Sequence, residues 1–88
     1  MNWVCNISNE AAKQFRKLPR DRQELLYQAI EAMKEDPLKG DVCLIKSGKF
    51  QGLMRKRVGQ YRIIFSVDHS RHLVEISAIL IRSEKTYR

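Results

Sequence analysis

Leu53-Met54-Arg55-Lys56-Arg57-Val58-Gly59-Gln60-Tyr61-Arg62-Ile63-Ile64-Phe65-Ser66-Val67 is the stretch whose reading decides the fold. Two runs of strand-like residues flank Gly59-Gln60, a spacing that predicts a tight β-hairpin of Leu53–Val58 with Tyr61–Val67. With those two residues as the turn, Val58 opposes Tyr61, Arg57 opposes Arg62 and Lys56 opposes Ile63. Side chains alternate along a strand, so Met54, Val58, Tyr61, Ile63, Phe65 and Val67 share one face. Arg55, Arg57 and Arg62 share the other. The first face calls for a cover of helices. The second presents guanidiniums, and two arginines placed directly opposite each other repel unless an anion lies against them. Lys56 interrupts the apolar face.

The segments upstream supply the cover. Trp3-Val4-Cys5-Asn6-Ile7 reads as a short strand, and Ser8 as the N-cap of a helix carrying Ala11, Ala12, Phe15 and Leu18 at helical spacing. Pro19 ends that helix and suits the first turn of the next. From Arg22, the residues Leu25, Leu26, Ala29, Ile30 and Met33 form one stripe, closed by Asp36-Pro37. After a turn at Leu38–Asp41, Val42–Lys46 reads as a strand and Ser47-Gly48-Lys49 as a basic loop. Asp68–Arg71 is a further turn, and His72 to about Ile81 a final strand. The predicted fold is α+β: an N-terminal strand, a helical hairpin, then a four-stranded antiparallel meander. The order is β-α-α-β-β-β-β, and the 88 residues read as a single domain, 1–88.

Charge is distributed as unevenly as the hydrophobic pattern. Residues 1–45 hold seven Lys/Arg and seven Asp/Glu, whereas residues 46–88 hold ten Lys/Arg against Asp68, Glu75 and Glu84. The formal net charge of +7 therefore comes entirely from the half that contains the hairpin. A polyanionic partner is the ordinary reason for such a face. The alternative, a solvated face paired with Glu75 or Asp68, suits any one arginine better than the set, because acids are too few. Tyr87, beside Arg82, Lys85 and Arg88, offers a ring for stacking on a base or simply closes the last strand.

Several chemistries lack their residues. The sequence holds no His-x-x-x-His, no Cys-x-x-Cys, no paired carboxylate motif and no Gly-rich phosphate loop, so no metal site and no cofactor is expected. His69 and His72 read as exposed turn residues, and Cys5 and Cys43 as buried, reduced thiols. No stretch is apolar enough for a signal peptide or a membrane span, so the expectation is a cytoplasmic protein with no membrane partner. Any catalysis would come from cations stabilising charge on a phosphate.

Gly52–Phe65, with its Arg-x-Gly-x-Tyr-Arg core, and the ending Arg82-Ser83-Glu84-Lys85-Thr86-Tyr87-Arg88 resemble the RelE/ParE superfamily of bacterial toxins. Leu18-Pro19, Asp36-Pro37 and the Leu44–Phe50 segment extend the likeness along the chain, and the ending resembles the RelE branch. The resemblance implies the toxin of a type II toxin–antitoxin system: a ribosome-dependent, metal-free mRNA endonuclease that inhibits translation. In that branch a ribose 2′-hydroxyl attacks the adjacent phosphodiester in the ribosomal A site and leaves a 2′,3′-cyclic phosphate. Carried over by position, Arg62 steadies the phosphate, Arg55 lies where a catalytic lysine often sits, Arg82 protonates the leaving oxygen and Tyr87 orients the base. Lys46, Lys49, Lys56, Arg57, Lys85 and Arg88 would contact RNA or ribosome. Leu53 stands where well-known relatives carry a second lysine, and Ile81 where many carry histidine. The implied partners are a cognate acidic antitoxin, the ribosome with its mRNA, and operator DNA only through the antitoxin. The alternatives are a ParE-like inhibitor of DNA gyrase and a catalytically weak nucleic-acid-binding co-repressor.

Overall fold

The computed structural model describes residues 3–81, so Arg82, Lys85, Tyr87 and Arg88 lie outside the described residues. The elements run β1 (Val4–Ile7), α1 (Asn9–Arg16), α2 (Arg20–Met33), β2 (Val42–Leu44), β3 (Met54–Val58), β4 (Tyr61–Asp68) and β5 (Leu73–Ile81). Ser8 converts strand into helix: its extended backbone ends β1, and its hydroxyl accepts the N–H of Ala11 at 3.1 Å. Pro19 begins α2 without a side-chain cap. The turn between the helices is tied instead by Gln23, whose Nε2 lies 3.0–3.3 Å from the carbonyl oxygens of Phe15, Arg16 and Leu18.

The sheet order is β1-β5-β4-β3-β2. The β2–β5 meander is antiparallel as expected. The sheet as a whole is mixed, because β1 pairs with β5 in parallel, from Val4 with Leu73 to Ile7 with Ile76. The helical hairpin carries the chain across one face from the β1 edge to the β2 edge, and the meander then returns it. The hairpin register matches the sequence reading: Val58 with Tyr61, Arg57 with Arg62, Lys56 with Ile63. Gly59 takes φ +60° at the first turn position, a conformation that favours glycine.

Strand ends differ from expectation where local hydrogen bonds intervene. β2 stops at Leu44 because Ile45 and Leu53 turn to each other, closing the base of the Lys46–Gly52 loop with Ile45 N–H donating to Leu53 O at 2.8 Å. β5 begins after His72, which sits at φ +54°.

Leu26, Ile30 and Met33 from α2 and Ala11 from α1 pack on Tyr61, Ile63, Phe65, Val74, Ile76 and Ile79. This is the apolar face read from the hairpin. Phe65 is fully buried at its centre, and trimming such a ring to Ala costs about 3–5 kcal/mol. Among the described residues all helical cover lies on one side, so the chemistry of the other is set there by β3, β4, β5 and the Lys46–Gly52 loop.

Candidate functional site

On the side away from the helices, a hollow of about 300 Å³ opens between the loop and the sheet. Arg55 and Arg62 line it from neighbouring strands, with Ile64 and Leu80 beside them and Cys43, Ser47, Lys49 and Phe50 opposite. The hairpin register accounts for the convergence, since Arg55 pairs with Ile64 and Arg62 with Arg57 and Leu80. The apolar residues desolvate the cations. Two donors, Arg55 Nη1 and Arg62 Nε, are buried and have no hydrogen-bond acceptor among the described residues. A buried N–H left unpaired costs about 1–3 kcal/mol, more when it belongs to a charged group. An oxyanion entering the hollow would remove that cost, and its charge would offset the Arg57–Arg62 repulsion.

Asp41 is the functional neighbour that the sequence reading misses. Its carboxylate lies 3.9 Å from Arg55 Nη2 and 3.8 Å from Arg57 Nε, and its backbone oxygen accepts the Arg57 N–H at 3.0 Å. Both pairs are long and share a half-exposed carboxylate, so they are worth little. They hold two guanidiniums near the hollow while leaving Arg62 with no acidic partner among the described residues. The signal for Asp41 lies in the β2–β3 register, Val42 with Lys56, which one step further sets Asp41 against Arg57. The intervening loop is too long to fix that register from sequence. Asp68 is engaged elsewhere: its carboxylate accepts from Ser70 Oγ, Ser70 N and Arg71 N. The Ser70 hydroxyl is the main reason this carboxyl lies below the usual aspartate range.

The remaining expected residues divide clearly. Lys49 lines the hollow, its ammonium 5.5 Å above the Phe50 ring. Lys46, on the same loop, and Arg57, on the same sheet face, are exposed outside it. Lys56 does not join them: it lies on the opposite face, and its Nζ donates to the Lys39 carbonyl at 2.8 Å. Alternation puts it there, and the carbonyl satisfies it, so it is a tether for the turn before β2. The expectation of two buried thiols also fails for one of them. Cys5 is half-buried, and burial raises its thiol above the ordinary range, whereas Cys43 is exposed and its sulfur accepts from Arg55 Nη2 at 2.6 Å. His69 and His72 are exposed, as expected, but they also pack on Trp3, His72 stacked at 4.7 Å and His69 edge-on at 5.7 Å. No group of three His, Cys, Asp or Glu among the described residues could hold a metal ion, and no described helix is long and apolar enough to cross a membrane.

The same architecture occurs in solved toxins. The archaeal RelE–RelB complex from Pyrococcus horikoshii OT3 superposes with a TM-score of 0.81 at 23% identity, covering 96% of this chain and 99% of that one. The RelBE2 toxin–antitoxin complex of Mycobacterium tuberculosis gives 0.79 at 19% identity, with 93% and 100% covered. The isolated E. coli RelE toxin gives 0.75 at 15% identity, with 93% and 86% covered. No curated protein sequence matches the chain. This fold, together with the match of its sequence to a toxin family, makes the chain a RelE/ParE-superfamily toxin. Residues 6–86 match the family described as "ParE toxin of type II toxin-antitoxin system, parDE", and the chain belongs to that family.

Proposed function

We propose that this toxin is a ribosome-dependent mRNA endonuclease that needs no metal. The carrying observation is the pair of buried donors, Arg55 Nη1 and Arg62 Nε, that no described residue accepts from, beside one hollow on the open sheet face. Both line one hollow from adjacent strands, where they would face two oxygens of one scissile phosphate. Guanidiniums stay protonated near neutral pH, so these arginines stabilise charge and do not carry protons. As the 2′-hydroxyl attacks phosphorus and the bond to the 5′-oxygen breaks, with net transfer of the hydroxyl proton to that oxygen, negative charge grows on the phosphoryl oxygens, and donors already fixed and desolvated stabilise it without reorganising. Arg57, Lys46 and Lys49 extend the cationic surface along the RNA backbone. By their match to the RelE pattern, Arg82 would protonate the leaving oxygen, which requires a site that shifts its guanidinium strongly, and Tyr87 would orient the base, with Lys85 and Arg88 as further contacts. An acidic antitoxin would silence the protein by supplying carboxylates to the same donors, and operator DNA would be reached through that antitoxin. The related solved complexes with RelB support such a partner.

The family description favours a second reading, a ParE-like inhibitor of DNA gyrase. Primer extension on mRNA from induced cells separates the two. The nuclease predicts codon-phased cuts that fall by about 10²–10³ in rate with Arg62→Ala, the usual cost of losing one charge-stabilising donor. Intact message accompanied by loss of supercoiling and DNA-damage signalling would reject the nuclease in favour of gyrase.

A further inference from the structure

β5 changes its alternation at Ser77. Across the ladder to β4, Phe65 pairs with Ile76 and Ile64 with Ala78, so Ser77 is the extra residue of a β-bulge. Before the bulge, Val74 and Ile76 belong to the helix-side core; after it, Ile79 does. Ala78 and Leu80 consequently face the open side, opposite Ile64 and Arg62. A regular β5 would turn Leu80 beneath the helices and Ile79 outward, since a one-residue slip exchanges the two faces.

The bulge is braced from α1. β1 ends at Ile7 beside Ile76, and beyond that point this edge of β5 is paired by other groups. Ser8 N–H donates to Ile76 O and its hydroxyl to Ser77 O, both at 2.9 Å. Further along the helix, Gln14 Oε1 accepts the N–H of Ile79 at 2.7 Å, while its Nε2 reaches Glu10 Oε2 at 3.4 Å, which fixes the orientation of the amide. Ile79 is 4% exposed, so its N–H would have no ready substitute acceptor.

We propose that Gln14, with Ser8, is a positioning residue for the anion site. By fixing the bulge at Ser77 it keeps Leu80 outward, as part of the wall that holds and desolvates the Arg62 guanidinium. The inference rests on the reading that Arg62 grips a phosphate, but its structural half is tested apart from activity.

The full chain is compared with Gln14→Leu, with Gln14→Ala in case the leucine does not fold, and with Gln14→Glu combined with Glu10→Gln. The last keeps an acceptor for Ile79 and a donor behind it. NMR follows exchange of the Ile79 amide and the nuclear Overhauser contacts between the Leu80 methyls and Arg62, and single-turnover cleavage on programmed ribosomes gives kcat and KM. Gln14→Leu should speed Ile79 exchange roughly five- to hundredfold, the range expected for an orphaned buried donor. It should weaken the Leu80–Arg62 contacts and lower kcat more than it raises KM, and the double variant should restore all three. Faster Ile79 exchange with Leu80–Arg62 contacts unchanged overturns the proposal, as does unaltered kcat once those contacts are lost. A wild-type chain that cuts no RNA, with the contacts responding as described, would reject the nuclease reading and leave the positioning role standing.

Discussion

Asp41 shows how much a single side chain can say about a cationic site. It stands 3.8–3.9 Å from two of the arginines and is itself half exposed, so it competes with any incoming phosphate without satisfying Arg62. Asp41→Asn should therefore tighten binding of a short single-stranded RNA about two- to fivefold, in line with the modest worth of exposed ion pairs. Fluorescence anisotropy decides it, and weaker binding would mean that the carboxylate is needed to orient Arg55 and Arg57. The thiols make a second contrast. Burial holds Cys5 above the ordinary thiol range, so it stays protonated at neutral pH, while Cys43 is exposed at the hollow beside Arg55. Iodoacetamide should modify Cys43 at least about tenfold faster than Cys5, because the thiolate is the reactive form. Peptide mass spectrometry over time measures both, and equal rates would refute the contrast. Neither residue's place was legible in the sequence. Cys43 lies on β2 and Asp41 immediately before it, and the pairing of β2 with β3 depends on a long loop and not on a tight turn.

At the level of elements, legibility follows how locally each feature is determined. The β3–β4 register was readable because two turn residues fix it and both strands alternate plainly. The bulge in β5 was not, since Ala78-Ile79-Leu80-Ile81 is apolar throughout and offers no alternation to break. The parallel place of β1 was also hidden, being a consequence of the helical hairpin crossing the sheet. That hairpin depends on Gln23, whose one amide serves three carbonyls that α1 and the following turn leave open. Gln23→Ala should lower unfolding free energy by about 1–2 kcal/mol, near the worth of one or two such bonds. Urea denaturation checks this, with an unchanged slope expected because the surface exposed on unfolding is the same. A loss below about 0.3 kcal/mol would mean that packing alone closes the hairpin.

For the whole molecule, the segregation of charge becomes a measurable dependence on salt. The net +7 arises in residues 46–88, and alternation sends Arg55, Arg57 and Arg62 to one face while Lys56 goes to the other. Counting by composition would give Lys56 the same standing as its neighbours, whereas the fold makes it a tether to Lys39. Binding to single-stranded RNA should weaken with salt by a slope of about −0.7 per phosphate neutralised. If Arg55 and Arg62 share one phosphate and Arg57 and Lys49 each meet another, log Kd should change with a slope near 2, or roughly twentyfold between 50 and 200 mM salt. Arg62→Ala should reduce that slope by up to about 0.7, because the shared phosphate loses one of its two cations. Lys56→Met should leave the slope unaltered, although losing the Lys39 tether should cost some stability. Titrations at four salt concentrations distinguish the cases. An equal fall in slope for both variants would mean that RNA responds to total charge and not to one face, and the arginine platform would then have no special claim on the phosphate.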